Sequence, residues 1–417
     1  MQFELSHRKR RSKTTDNRQL TTDNLPPRIL HIIPTLDPHG AEKQLTLLAT
    51  GLARERFDVH VCALTRGGPF AEPLQQAGIP VEVIGKRWKV DPLAYWRLKR
   101  HIRRLKPDLV HTWLFAANSY GRAAARACGV RRIVAAERCV DQWKLWHELA
   151  IDRRLARATD RIVANSRAVR DFYVARGLPA EKFVVIPNGV PPAEASDLLQ
   201  RGGQAPFAPR TPQNPPRRTA DSRAEFLQEL GLPPDVRLIG AVGRLWPQKR
   251  VKDLVWAIDQ LRTMCPQAHL LVIGDGPQRA ALERLRRLYE VEAGAHFLGN
   301  RTDVARFLPH FDAFWLASAY EGQSNALMEA MAAGVAVVAS DIPANRELVT
   351  SGENGVLVPL NVRSEFARRT LMLLEDLALA TKLAAAGRQR MLAEFSVERM
   401  VDRYAALYGE LLGGSGT

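Results

Sequence analysis

At 417 residues the chain exceeds what one hydrophobic core usually organises, so two or three domains are expected. Its 46% hydrophobic and 25% charged composition is that of a globular protein, and no apolar run approaches the roughly 18 residues of a membrane span, which argues against disorder and integral membrane insertion. The 60 Lys and Arg against 44 Asp and Glu leave a formal +16, which suggests nucleic acid, a membrane surface or a phosphorylated substrate as partner.

Residues 1–28 hold seven Lys or Arg against Glu4, Asp16 and Asp23. The imperfect repeat Thr14 to Asn17 and Thr21 to Asn24 reads as low-complexity chain, so residues 1–27 are expected to be a disordered basic tail. The tail lacks the apolar segment and cleavage site of a secretory signal, and Cys62, Cys128, Cys139 and Cys265 show no paired spacing, so a cytoplasmic protein is expected.

From residue 28 short β-branched runs alternate with amphipathic stretches: Ile29 to Ile33, a helix near 40–53, Val59 to Leu64, Val81 to Ile84, and a helix near 93–105. Leu109 to His111, a helix near 118–127, Ile133 to Ala136, Ile162 to Ala164 and Phe183 to Pro187 follow, the pattern of a parallel sheet covered on both faces. Residues 86–106 carry nine Lys or Arg against Asp91; with the tail they account for +12 of the +16. Within this stretch Tyr95, Leu98, Ile102 and Leu105 form a helical stripe, beside Trp88 and Trp96. Such a helix either docks its stripe and solvates its charges, or presents aromatics and cations to anionic lipid headgroups. Trp143, Trp146 and His147 fit an acceptor groove or ordinary core packing.

Residues 191–216 contain seven prolines and no periodicity, marking a connector. A second α/β series follows: Leu238 to Val242, a helix near 251–264, Leu270 to Ile273, a helix near 279–289, His296 to Leu298, Ala313 to Leu316 and Val335 to Ala339. The expected organisation is an N-terminal doubly wound, Rossmann-like domain at 28–190, a connector at 191–222, a second such domain at 223–394, and a final helix within 395–417 packing across both. Ligands favour the carboxyl ends of parallel strands, so the active cleft is predicted between the two domains.

Two segments carry chemistry. In Val242-Gly243-Arg244-Leu245-Trp246-Pro247-Gln248-Lys249 a strand ends in glycine and two cations follow. They could grip a diphosphate and stabilise a leaving nucleotide, or be solvated loop charges. In Glu321-Gly322-Gln323-Ser324-Asn325-Ala326-Leu327-Met328-Glu329, Ser324 or Asn325 can open a helix that Gly334 closes, leaving the amides of Gly322 to Ala326 free for phosphate. Glu329, about one turn inside, could take a ribose diol, and Glu321 the transferred group; the alternative is a carboxylate on an exposed helix.

The segment from Glu321 to Glu329 resembles the Glu, seven residues, Glu motif of retaining glycosyltransferases of family 4, which have the GT-B fold. Gly40-Ala41-Glu42, Val110-His111-Thr112, Ala164-Asn165-Ser166, Val185-Ile186-Pro187-Asn188-Gly189-Val190 and Gly274-Asp275-Gly276-Pro277 are similar to further family segments in the same order. The resemblance implies that Arg244 and Lys249 bind the donor diphosphate, Glu329 the ribose and Glu321 the transferred sugar, with Gly40 admitting the backbone to the phosphates. It also implies that His111, at a strand end, touches sugar or acceptor. Two positions depart from the family pattern: His39 and Arg250 stand where glycines are frequent, so a reshaped donor loop and an extra cation near the phosphates are expected.

The resulting expectation is retaining transfer of a hexosyl-type sugar from a nucleotide diphosphate sugar, UDP ahead of GDP, to a glycan or lipid-linked acceptor, in cell-surface polysaccharide or glycolipid synthesis. No metal and no other cofactor are expected, since Asp-X-Asp is absent. The enzyme is placed in the cytoplasm, peripheral to the inner membrane face through residues 86–106. The rivals are a dehydrogenase, whose glycine fingerprint Arg279 breaks, a nucleic-acid-binding protein, with no recognisable motif, and an epimerase or phosphorylase of related fold.

Overall fold

The computed structural model describes residues 25–191 and 220–413; most of the basic tail and of the proline-rich connector lie outside the described residues. Two separate parallel sheets form. The first comprises β1 (Arg28–Ile33), β2 (Asp58–Ala63), β3 (Val81–Val83), β4 (Leu109–Trp113), β5 (Arg132–Glu137), β6 (Arg161–Ala164) and β7 (Phe183–Val185), in the order β3-β2-β1-β4-β5-β6-β7. The second comprises β8 (Arg237–Val242), β9 (Ala268–Ile273), β10 (Ala295–Phe297), β11 (Ala313–Leu316), β12 (Val337–Ser340) and β13 (Val356–Val358), in the order β10-β9-β8-β11-β12-β13.

In both sheets the strand order reverses beside the first strand, at β1/β4 and at β8/β11. Diverging connections open a crevice at such a switch point, at the carboxyl ends of the strands. These ends carry the segments around Gly40, Arg244 and Glu321. The fold therefore brings the sequence motifs to the two crevices.

Helices cover both sheets. In the first half they are α1 (Gly40–Gly51), α2 (Ala71–Gln76), α3 (Pro92–Leu105), α4 (Leu114–Ala127), α5 (Trp146–Ala156) and α6 (Arg167–Val174). In the second they are α7 (Ala220–Glu229), α8 (Val251–Met264), α9 (Arg279–Leu288), α10 (Asn325–Ala332), α11 (Ser364–Glu375) and α12 (Leu377–Glu394), followed by α13 (Val397–Gly413). The last helix returns to the first half, where Met400, Tyr404, Leu407, Tyr408 and Leu411 share a core with Ile29, Leu45, Leu48 and Trp113. The return crossing pairs with the outgoing one: Val190 N–H donates to the Phe395 carbonyl at 2.8 Å. Gly189 permits this contact, because a β-carbon there would lie 2.7 Å from Val397 Cα. Among the described residues no helix is long and apolar enough to cross a membrane.

His111 corrects an expectation. The apolar run in the sequence ends at His111, but β4 continues to Trp113 because the Thr112 hydroxyl is satisfied by Asn118 Oδ1 at 2.7 Å. His111 is consequently mid-strand and fully buried under α13, with Nδ1 2.6 Å from the Tyr408 hydroxyl and its ring 4.8 Å from that of Trp113. It faces core rather than cleft, which removes it from contact with sugar or acceptor.

Burial also pushes the neighbouring His31 down to about 3 and His111 well below the ordinary histidine range. Both are neutral in the fold and protonate on unfolding, so below an unfolded value near 6.5 the unfolded chain binds more protons and stability falls as the pH is lowered. Denaturant titrations are expected to lose about 1.4 kcal/mol per pH unit for His31 alone between its unfolded and folded values. In His31→Gln, which retains an acceptor for Trp113 Nε1, this slope should be smaller; an equal slope would show that His31 is not the source.

Candidate active site

The facing crevices are joined by a polar seam. Asn188, just before the outgoing crossing, donates its backbone N–H to Gln323 Oε1 at 2.6 Å and its side-chain amide to Asn325 Oδ1 at 2.6 Å, while its own Oδ1 accepts from Arg138. Gln44 on α1 exchanges two hydrogen bonds of 2.9 Å with the Gly189 backbone. Asn325 Nδ2 reaches the Gly40 carbonyl at 3.2 Å, and the carboxylate of Glu347 receives the amides of Arg167 and Ala168 at the start of α6. A carboxylate at that end also complements the helix dipole.

Within the seam, Lys249 forms an ion pair with Glu321, whose Oε1 also accepts from the Ser318 hydroxyl at 2.7 Å. Gln248 ties this loop to the next one, donating from Nε2 to the Tyr320 carbonyl at 2.7 Å and accepting from the Ala319 amide at 2.8 Å. Arg244 is exposed, 5.6 Å from the Trp246 ring centroid, and forms no ion pair among the described residues. Its charge helps hold His39 below the ordinary histidine range, after the larger effect of desolvation.

Ser324 caps α10 as anticipated, its hydroxyl accepting from the Leu327 amide at 3.4 Å. Among the described residues the backbone amides from Gly322 to Ala326 donate no hydrogen bond. Consecutive unused amides at a helix start suit an anion. Glu329 lies one turn inside α10, with Oε1 2.8 Å from Lys43 Nζ of the opposite half. Gly40, Arg244, Lys249, Glu321, Gly322, Ser324, Asn325, Ala326 and Glu329 thus gather at one place, and His111 does not.

Sequence reasoning missed Lys43, Gln44, Arg138 and the role of Asn188, although two of its quoted segments adjoin or contain them. Glu42, quoted in one of those segments without a role, lies buried on α1, and burial raises its carboxyl to about 7. Arg250 departs from expectation. It occupies the left-handed region (φ 51°), so the turn that glycine favours is kept, and its guanidinium engages Asp253 at 2.6 Å and also Asn361.

The loop after β5 forms the first-half wall. Its Lys144 is fully buried and binds Asp152 at 2.9 Å, Tyr173 Oη at 2.8 Å and Glu137 at 3.3 Å, so three elements fix the loop. Burial raises the Glu137 carboxyl to about 7, with Lys144 opposing the shift. Trp143, Leu145 and Trp146 protrude beyond this anchor, Trp146 being 78% exposed, which overturns core packing for it. Trp88, Val90, Leu93 and Trp96 are exposed as well, while Ala94, Leu98 and Ile102 dock α3 on the sheet. Lys89 Nζ, 3.9 Å from Glu148 on α5, links the two exposed groups. A pocket of about 450 Å³ lined by Arg56, Asp108 and Arg132 sits at the amino ends of the strands, away from these motifs.

Two facing α/β halves with a crevice at their carboxyl edges are the GT-B architecture. The chain superposes on the crystal structure of Anabaena Alr3699/HepE in complex with UDP-glucose with a TM-score of 0.78, at 24% identity, covering 92% of this chain and 99% of that one. The chain belongs to glycosyltransferase family 4, the glycosyl transferases of group 1: the first family model matches residues 38–194 and the second residues 236–376. It is 30% identical over 179 residues to the lipopolysaccharide core biosynthesis glycosyltransferase LpsE of Rhizobium meliloti, a match covering 43% of this chain and spanning about half (52%) of that relative. It is 24% identical over 387 residues to the Escherichia coli UDP-Gal:alpha-D-GlcNAc-diphosphoundecaprenol alpha-1,3-galactosyltransferase, covering 87% of this chain and 91% of the relative.

A β-carbon at Gly322 would collide with the Arg138 carbonyl across the seam. Gly322→Ala is therefore expected to cost about 1–3 kcal/mol, the usual price of overpacking. Chemical denaturation measures it; an unchanged midpoint and slope would show that the two loops do not approach this closely.

Proposed function

We propose that the protein is a retaining glycosyltransferase that moves a hexosyl sugar from a nucleoside diphosphate sugar to a hydroxyl of a glycan or lipid-linked acceptor. One observation carries this reading: the Lys249–Glu321 pair adjoins the unused amides of Gly322 to Ala326, with Arg244 on the same loop as Lys249 and Glu329 one turn further along α10. The two cations and the amides would neutralise the diphosphate as it leaves, in the place of a metal ion. Glu329 would accept hydrogen bonds from the ribose diol, and Glu321, steadied by Lys249 and Ser318, from the hydroxyls of the transferred sugar.

Retention follows if the acceptor attacks from the face the diphosphate leaves. The bond between the anomeric carbon and the phosphate oxygen breaks, the acceptor oxygen bonds to that carbon, and its proton passes to the departing phosphate oxygen. Uridine is placed ahead of guanosine, in keeping with the UDP-sugar named for the Escherichia coli relative and the UDP-glucose complex named for the structural neighbour. The names of the relatives, one acting in lipopolysaccharide core synthesis and one on a diphosphoundecaprenol-linked sugar, favour cell-surface glycan or glycolipid synthesis.

Incubation with UDP-glucose, UDP-galactose or GDP-mannose, with and without glycan acceptors, followed by product analysis, tests the class of reaction. Transfer to an acceptor is expected, with kcat/KM lowered about a hundredfold or more in Arg244→Ala, Lys249→Ala and Glu329→Ala. An epimerised nucleotide sugar formed without acceptor, or full turnover by all three variants, would overturn the reading.

A lipid-linked acceptor requires access to a bilayer. The exposed Trp88, Trp96, Trp143 and Trp146 beside the cations of α3 supply apolar and electrostatic contact with anionic headgroups. The protein is expected to float with vesicles containing anionic lipid and to float less when Arg100, Arg103 and Arg104 are neutralised. Equal partitioning of the two would remove the membrane surface from the account.

A further inference from the structure

The carboxylate assigned to the ribose is not held by its own half of the molecule. Glu329 Oε1 accepts from Lys43 Nζ at 2.8 Å, a contact spanning 286 positions of sequence, with side chains only 17% and 10% exposed. Such a pair is expensive to desolvate, and removing one partner leaves the other charge uncompensated. A lysine ammonium is a compact point charge on a flexible stem, so its placement depends on its surroundings. Here they are fixed: one turn before it, the Gly40 carbonyl accepts from Asn325, and beside it Gln44 clamps Gly189 and reaches Asn325 Oδ1 at 3.4 Å. The first turn of α1 is therefore docked on the first turn of α10, and Lys43 arrives at Glu329 as a consequence.

A carboxylate offers about four lone-pair positions over two oxygens. One ammonium hydrogen bond at Oε1 leaves capacity for the two hydroxyls of a ribose diol and holds the carboxylate in one orientation. We propose that Lys43 is a positioning residue of the donor site, contributed by the opposite half, that fixes Glu329 for the ribose diol and makes recognition of the sugar ring of the nucleoside depend on closure of the cleft. The proposal rests on the assignment of Glu329 to the ribose. Opening the cleft withdraws Lys43, so a nucleotide that uses the diol binds the closed arrangement better and shifts the population toward it. A nucleotide without the diol gains nothing from Lys43.

Calorimetric titration of UDP, GDP and their 2′,3′-dideoxy analogues into the full-length protein and its variants tests this. Wild type is expected to prefer the ribonucleotide about tenfold to a hundredfold, the range of hydrogen bonds to a charged group. Lys43→Met is expected to lose most of that preference while its affinity for the dideoxy analogue stays within about twofold, and Lys43→Arg to recover it. Glu329→Ala is expected to lose the preference whatever stands at position 43. If Glu329→Ala loses it and Lys43→Met keeps the full preference, the role of Lys43 is overturned and the ribose assignment stands. If Glu329→Ala keeps the preference, the ribose assignment fails and the proposal with it. If Lys43→Met weakens both nucleotides equally, Lys43 does not act through the diol. A poorly folded Lys43→Met is replaced by Lys43→Gln, judged by the same ratio.

Discussion

The rest of the structure depends on the buried hydrogen-bond seam centred on Asn188. Two independently cored α/β halves have no covalent reason to present their carboxyl edges to each other. Asn188 supplies one, because its backbone, its amide and its carbonyl oxygen are each committed to a different neighbour: Gln323, Asn325 and Arg138. Buried polar groups are costly when unpaired, so an arrangement that satisfies all of them is strongly specified. The seam fixes the register of α1 against α10, and that register brings Gly40, Lys43 and the start of α10 together.

Charge is used locally in this cleft. The formal +16 first suggests a general affinity for polyanions, but most of it belongs to the basic tail and the α3 region. At the cleft, Lys249 pairs with Glu321 and Lys43 pairs with Glu329, while Arg244 stays exposed and forms no ion pair among the described residues. In the proposed reading, local arrangement rather than net charge would give the site its affinity for a diphosphate. The same economy holds in the supporting wall, where Lys144 carries its charge into the interior only because Glu137, Asp141 and Asp152 surround it.

The sheet strands were legible because parallel strands buried on both faces write themselves as short apolar runs, as Ala313–Leu316 and Ile133 to Ala136 within Arg132–Glu137 do. Helices with a clear apolar stripe were equally legible: Val251–Met264 and Pro92–Leu105 are found within a residue of expectation. The helices Ser364–Glu375 and Leu377–Glu394 were not anticipated, the latter because its alanine-rich face carries little periodic contrast. In the candidate site the motifs on one half could be read, since Ser324, Glu329 and the cations lie close in sequence to a strand end. The contributions of Lys43, Gln44 and Arg138 depend on contacts between distant segments, which no local pattern encodes. His111 was misplaced for a related reason: the polar Thr112 makes the apolar run look finished at His111 until Asn118 is seen to satisfy its hydroxyl.

The central claim is that the two halves bind one nucleoside diphosphate sugar between α1 and α10, and a crystal structure of the protein with UDP or UDP-glucose tests it most directly. The account predicts the diphosphate within hydrogen-bond distance of Arg244, Lys249 and the amides of Gly322 to Ala326. It also predicts the ribose hydroxyls on Glu329, with Lys43 still in contact with that carboxylate. A nucleotide seated elsewhere, such as the pocket lined by Arg56, Asp108 and Arg132, with these groups untouched, would contradict it.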